Sequence, residues 1–341
     1  MTENQFIRVL EDTLKQLPNE ERNDIIQDIH EYFTNGRADG KTDSEIANSL
    51  GSPSQIAEEL LASYSFATQD IPDEISNELI TLQNNTYTKI DMNVQHGALV
   101  VRPSTDTVTT VELIGANEKM QLSAEVVGDT LFIRLKSLRH WLFMFNMKPV
   151  IVNVFIPSKL YQSIAMKTDN GRISARKLLG KSITANTDNG RIELNEIAAS
   201  DLSTEADNGR IMLDKIQADT IKVETDNGRI EMRHIEADTI SVESDNGRIE
   251  MEHVDGAITG KTDNGRITLE TSSLDRNMDF RTDNGAIFIK SKSKPTNLSI
   301  YTKTGNGKID VFGEQNSKTV IGVGENTLRL KSGNGRITVG Y

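Results

Sequence analysis

One hexapeptide organises this chain. Thr225-Asp226-Asn227-Gly228-Arg229-Ile230 returns with small changes along the C-terminal half. Its Asn-Gly centre occurs as Asn170-Gly171, Asn189-Gly190, Asn208-Gly209, Asn227-Gly228, Asn246-Gly247, Asn264-Gly265, Asn284-Gly285, Asn306-Gly307 and Asn334-Gly335. The spacing is 19 residues through the first five copies, then 18, 20, 22 and 28 towards the C-terminus. A period of about 20 residues is the mark of a repeat architecture, in which one unit cannot bury its apolar face without its neighbours.

Within one unit, Ile221, Val223 and Thr225 alternate with polar residues before the Asn-Gly pair, and Ile230 and Met232 alternate after it. Period two on both sides of a turn reads as two half-buried strands. Asn-Gly tolerates positive φ at both positions, so the sequence predicts the sharp corner there. A second corner is expected over Arg233 to Asp238, with Ile235 as its apolar plug. Two architectures suit such a unit. Antiparallel hairpins with type I′ turns are one. A β-solenoid, with each repeat a coil of ~19 residues stacked like on like, is the other. The constant length of consecutive repeats favours the solenoid, because a coil that changes length loses register with its neighbours.

The rest of the chain divides around this array. Residues 1–66 read as an acidic all-α domain of four helices. Phe6, Val9, Leu10, Leu14 and Leu17 form the first apolar stripe, and Ile25, Ile26, Ile29, Tyr32 and Phe33 the second. Thr42 with Glu45 forms a capping box for the third helix, and Ser52-Pro53 opens the fourth. Residues 67–86 read as a polar linker, with a short helix over Glu78 to Leu82. Residues 87–341 read as all-β, irregular over 87–160 and regular over 161–341. His96-Gly97-Ala98-Leu99 reads as a degenerate first copy of the repeat turn.

The charge balance restricts partners. The net charge is −12, and residues 1–70 hold 14 acidic against 5 basic residues. No basic block of the kind nucleic acid requires is expected. There is no cysteine, hence no disulfide or thiolate metal site. No apolar run approaches the ~18 residues of a membrane helix, and Met1-Thr2-Glu3-Asn4-Gln5 lacks the basic and apolar regions of a signal peptide. These features predict no transmembrane segment and a cytoplasmic location, with a peripheral place at the membrane open to it through a partner.

Two resemblances follow from particular residues. Leu14-Lys15-Gln16-Leu17-Pro18, Glu31-Tyr32-Phe33 and the run Asn48-Ser49-Leu50-Gly51-Ser52-Pro53-Ser54-Gln55-Ile56-Ala57 resemble the HAAS signalling domain, domain of unknown function 1700. That resemblance implies a cytoplasmic module of membrane or envelope-stress proteins in Gram-positive bacteria. Gly97-Ala98-Leu99-Val100-Val101-Arg102-Pro103-Ser104, Val152-Asn153-Val154-Phe155-Ile156-Pro157 and the Asn-Gly-Arg-Ile copies resemble the adhesin-type β-strand-repeat family, domain of unknown function 4097. It implies a right-handed β-helix-like fold without known catalysis.

Several residue sets invite a functional reading. The acids Asp169, Asp188, Asp207, Asp226, Asp245, Asp263 and Asp283 fall in one ladder that Ca²⁺ could relieve. Arg172, Arg191, Arg210, Arg229, Arg248 and Arg266 lie three residues on and are expected to neutralise it, so no cofactor is expected. The asparagines are expected to stack as hydrogen-bonded amides. The Thr ladder (Thr168, Thr187, Thr225, Thr262, Thr282, Thr304) lies on the apolar side and is expected in the core. His234 and His253, one coil apart, form no metal set. Trp141, Phe143 and Phe145 lie in a stretch that does not alternate, and read either as a lid over the first coil or as an exposed contact patch. No catalytic constellation is evident. The sequence therefore predicts a non-enzymatic scaffold of envelope-stress or membrane-linked signalling. Its helical domain would recruit a protein partner, such as a membrane-bound signalling component, and its solenoid would present a repetitive surface. The competing reading is a surface adhesin or carbohydrate-binding β-helix.

Overall fold

The structure is a computed structural model. It describes residues 1–16, 22, 25–26, 29–30, 32–34, 37, 42–58, 61, 76–83, 86–115, 120–137 and 150–341. The chain forms two compact units, Met1–Glu74 and Ile75–Tyr341.

The first unit is helical. Thr2 caps the helix Glu3–Thr13 by a capping box with Gln5, and Thr42 with Glu45 caps the helix Asp43–Leu50 as the sequence predicts. Residues 25–26, 29–30, 32–34 and 53–58 are also helical where described. Phe6, Leu10, Leu14, Phe33, Ile46 and Ala57 make its core. Phe6 and Phe33 meet edge to face at 5.7 Å, the geometry the ring quadrupole favours.

The second unit is all β. Its strands in chain order are β1 (Ser76–Leu82), β2 (Lys89–His96), β3 (Ala98–Pro103), β4 (Thr109–Ile114), β5 (Met120–Val127), β6 (Thr130–Ser137) and β7 (Ile151–Ile156). The repeats supply β8 (Tyr161–Asn170), β9 (Ile173–Asn189), β10 (Ile192–Asn208), β11 (Ile211–Asn227), β12 (Ile230–Asn246) and β13 (Ile249–Asn264). Shorter pieces follow: β14 (Ile267–Thr271), β15 (Met278–Asn284), β16 (Ile287–Ser291), β17 (Leu298–Asn306), β18 (Ile309–Val311), β19 (Lys318–Ile321), β20 (Asn326–Asn334) and β21 (Ile337–Gly340).

In the centre, each repeat is hydrogen-bonded in parallel to the next. Ile192 pairs with Ile211 and Ile211 with Ile230. Parallel pairing excludes the hairpin alternative. Pairing within a coil comes in three runs, as in 192–195, 197–199 and 201–206. Ile192, Leu194, Ile197, Leu202, Thr204 and Ala206 point inward and are buried, and the equivalent positions of the next coil lie against them. Each buried large aliphatic side chain contributes on the order of 2 kcal/mol, so the inward row drives stacking.

Repeats of unequal length stay in register because a corner absorbs the difference. Where the repeat from Asn246 to Asn264 runs one short, the register slips between Glu236 and Thr239. Gly256 takes φ +139° there, with its Cα so close to Ala237 that a Cβ would lie 2.1 Å from the Ala237 carbonyl oxygen. The next, longer repeat adds a loop between β14 and β15 in which Leu274 is buried as a plug.

The ends do not stack in chain order. The layer β2–β3 lies between two later ones: β2 pairs with both β6 and β8, and β3 with both β7 and β9. At the other end β20 lies between β15 and β17, and β21 between β16 and β18. The order of corners is therefore Gly285, Gly335, Gly307. Antiparallel strands cover the outermost layers: β5 on β6, β4 on β7 and β1 on β4 at one end, and β19 on β17 at the other. A solenoid end would otherwise expose a row of unpaired amides and carbonyls.

The expected helix over Glu78 to Leu82 is not formed. That stretch of the expected linker is strand β1, which pairs antiparallel with β4 through Ile80↔Val111 and Leu82↔Thr109. Ile80 and Leu82 pack against the β core. Their alternation is a strand pattern, and the partner that fixes it is a separate strand reached only after β2 and β3.

Candidate interaction surfaces

The Asn-Gly corners form one continuous ladder. Asn189 Nδ2 donates to Asn170 Oδ1 at 3.1 Å, and the relay continues through Asn208, Asn227, Asn246, Asn264 and Asn284. It then passes to Asn334 and ends at Asn306, each step 2.9 Å. His96 stands where Asn170 would find a preceding asparagine, at 3.5 Å, so the degenerate copy does take the first position.

The glycines are required for a reason other than the one the sequence suggests. No glycine of the nine pairs has positive φ. Their carbonyls stack so closely that a Cβ on Gly209 would lie 1.6 Å from the Gly190 oxygen, and one on Gly228 would lie 1.8 Å from the Gly209 oxygen. Close backbone approach, not turn conformation, excludes every side chain. The left-handed conformation falls at the other corner, on Lys177, Glu196, Lys215, His234 and His253, with φ between 53° and 57°. Nothing in those residue types announces it.

The Thr ladder locks the corner from within. Thr187, Thr225, Thr262 and Thr282 are buried and donate to the carbonyls of Gly171, Gly209, Gly247 and Gly265 at 3.1–3.4 Å. Ser332 and Thr304 do the same for Gly285 and Gly335. Each hydroxyl satisfies a carbonyl lone pair that stacking turns away from water.

The arginine ladder has glutamate partners that the sequence reading did not single out. Arg172 and Arg191 bind Glu193, while Arg210 and Arg229 bind Glu231 at 2.6 and 3.1 Å. Glu231 is buried. Burial opposes its charge, but the two guanidiniums outweigh that and hold its carboxyl below the ordinary 4.5. Asp226 moves the other way, above 3.8, because of burial first and then the carboxylates of Asp245 and Asp207. Glu193 and Glu231 stand two residues after Arg191 and Arg229, which enter β10 and β12, and each also meets the arginine of a neighbouring corner, Arg172 or Arg210.

Open grooves on the outer surface include three formed by the described residues. One, of ≈ 550 Å³, follows the small residues Gly180, Ala199, Ala218 and Ala237, with Leu160 and Leu179 at its end. A second, of ≈ 540 Å³, lies among Arg102, Phe155, Arg176 and Asn195. The third, of ≈ 460 Å³, lies among Arg281, Tyr301, Lys303, Arg329 and Lys331. Near β2, Tyr87 and Tyr161 stack at 6.2 Å, and Lys159 Nζ lies 4.7 Å from the Tyr87 ring centre. Burial lowers Lys159 and, with the neighbouring Tyr87 hydroxyl, raises Tyr161. Lys159 donates to the Tyr87 carbonyl at 2.7 Å, which ties this end together. His234 and His253 rings are 5.4 Å apart, and His234 lies 3.0 Å from Asp214. Among the described residues no group of three or more His, Asp or Glu could hold a metal ion, and no helix is long and apolar enough to cross a membrane. The expected patch of Trp141, Phe143 and Phe145 lies outside the described residues.

A family model described as Toastrack DUF4097 matches residues 87–340, and a HAAS model matches residues 5–59. No curated protein matches. Among solved structures, one described as a "putative adhesin" from Bacteroides fragilis is 20% identical, over 77% of this chain and 98% of that one, with a TM-score of 0.40. One described as a "putative lipid binding protein" from Parabacteroides distasonis is 15% identical, over 77% and 98%, with a TM-score of 0.46.

Proposed function

The chain belongs to the Toastrack DUF4097 family, and from that premise we propose that it is a non-enzymatic scaffold of envelope-stress or membrane-linked signalling. The acidic HAAS-type unit recruits a protein partner, and the solenoid presents a repetitive surface to it or to a second protein. The observation that carries this reading is the uniform outward lattice of the central coils. Glu205, Glu224 and Glu243 stand in register on adjacent coils, and each is followed two residues later by Asp207, Asp226 or Asp245. Such a lattice suits recognition of an extended partner better than it suits chemistry, which needs an enclosed site that excludes water. The reading includes a right-handed coil of about 19 residues, since parallel β crossovers take that hand. It also places the protein in the cytoplasm.

Cell fractionation combined with affinity capture tests the proposal. The intact tagged chain is expected inside the cell, with a partner that is lost when residues 1–66 are removed and weakened by salt, as charge-steered contacts are. Recovery of the intact protein at the cell exterior, bound to glycan and indifferent to removal of residues 1–66, would establish the adhesin reading instead.

A further inference from the structure

The C-terminal end inverts the charge of the chain. Residues 292–341 hold eight Lys and Arg against three Asp and Glu, in a chain whose net charge is −12. The fold concentrates these cations on one face. Because β20 is inserted between β15 and β17, Lys331 stands in register with Arg281 on one side and Lys303 on the other. Arg329 stands between Asp279 and Tyr301. Strand β19 then brings Lys318 opposite Tyr301 and Val320 opposite Ser299, on the same face. Adjacent strands are roughly 4.8 Å apart, so these cations are close neighbours. In the central coils the row of Arg281, Lys331 and Lys303 is occupied by Glu205, Glu224 and Glu243. The corner acid present up to Asp283 is replaced by Gly333 and Gly305.

Little neutralises this set. Arg281 is held by Asp279 at 2.8 Å, and Lys318 lies 5.4 Å from the Tyr301 ring centre. Lys303, Lys331 and Arg329 have no carboxylate within ion-pair distance among the described residues. Like charges opposite one another on a sheet are destabilising, so the arrangement costs stability in the free protein. Apolar side chains share the face: Tyr301 is 40% exposed and Val320 52% exposed.

We propose that this face binds the surface of an anionic lipid bilayer directly. The cations stand on the outer side of one sheet, as a planar partner requires. Tyr301 and Val320 can enter the headgroup boundary while the Lys and Arg around them meet lipid phosphates. A soluble polyanion would use the cations alone and gain nothing from Val320. The acidic central coils are repelled by the same membrane, which orients the β unit with this end towards it. The inference is independent of the partner assigned to the helical unit.

Sedimentation of the full chain with vesicles tests it. Binding is expected to an equal mixture of phosphatidylcholine and phosphatidylglycerol, to weaken with salt, and to be absent with phosphatidylcholine alone. Each cation near an anionic surface is worth about fivefold in affinity. Lys303→Gln with Lys331→Gln should therefore weaken binding roughly 25-fold. Lys177→Gln with Lys215→Gln, the same change of net charge on exposed residues elsewhere, should leave it unchanged. Val320→Ser with Tyr301→Ser should weaken it several-fold at constant charge. Melting curves that match the unmodified chain confirm that each variant is folded. The proposal is overturned by absence of binding to the mixed vesicles, or by equal losses from the two lysine pairs. Binding of soluble polyphosphate without vesicle binding would assign the face to a polymer and overturn it as well.

Discussion

The central coils and the two ends of the β unit are built from the same repeat, yet they obey different rules. In the centre, chain order and spatial order coincide: β9 lies on β10, β10 on β11, β11 on β12. At each end one layer is out of order, with the first in sequence second in space and the last in sequence second from the end. The centre is also acidic on its outer face and the C-terminal end basic. Local pattern is enough to make a coil, but what closes a stack is the need to cover an edge. Placing the chain's own last strand inside the stack leaves the outer position to a layer that carries its own antiparallel cover, β19.

Removing residues 326–341 should break this comparison most visibly. The truncation takes away Leu328, Leu330, Ile337 and Val339, all buried, and with them a whole inner layer. A loss on the order of 10 kcal/mol is expected, enough to unfold the C-terminal coils. Hydrogen exchange should then show β15 to β18 unprotected while β9 to β12 stay protected. Retained protection of β17 on β15 would mean that the layers can stack in chain order after all.

The glycine corners give the next largest effect. Gly209→Ala in the centre puts a methyl carbon against the Gly190 carbonyl and should cost about 3 kcal/mol or more, because the stacked Gly190 backbone cannot yield. Gly340→Ala at the end has no atom within 4 Å of its new carbon and should leave the denaturation midpoint unchanged. Equal effects from the two would contradict close stacking as the cause.

Lys215→Gly should stabilise a central coil by about 1 kcal/mol, the cost of holding a residue with a Cβ in the left-handed region. Chemical denaturation would show this as a higher midpoint at unchanged slope. The smallest change expected is that of Asp226→Asn, which interrupts the acid ladder where the C-terminal end has glycine instead. The Asp226 carboxyl titrates above 3.8 in the fold, so the native state binds more protons than the unfolded chain between 3.8 and that raised value. Stability therefore falls as pH rises through this window and is constant above it. The Asn variant should melt slightly higher at neutral pH, and the advantage should fade as pH drops below 3.8. An advantage that persists in acid would assign the effect to something other than charge.

Some of this is legible residue by residue. The inward positions Ile221, Val223 and Thr225, the parallel ladder of asparagines and the capping box at Thr42 follow from spacing alone. The strand over Ser76–Leu82 reads in sequence as linker and helix, since its alternating Ile80 and Leu82 acquire meaning only beside β4. The basic face is also hidden. Arg281, Lys303 and Lys331 stand in three separate repeats of the sequence, and only the inserted strand makes them neighbours.

Sequence alone determined the unit of this protein: a coil with fixed inward residues, a glycine corner and an asparagine that stacks on its own kind. Those features depend on period-two alternation and on like residues meeting like, both of which are local or repeated. Tertiary structure decided the order of the layers, the reason for each glycine, the corner that carries positive φ and the face on which charge collects. These depend on which distant strands pair. The entropy of closing a loop grows only with the logarithm of its length. The last strand of the chain can therefore take the inner place, ahead of one that precedes it in sequence, when that covers more edge than the nearer one would.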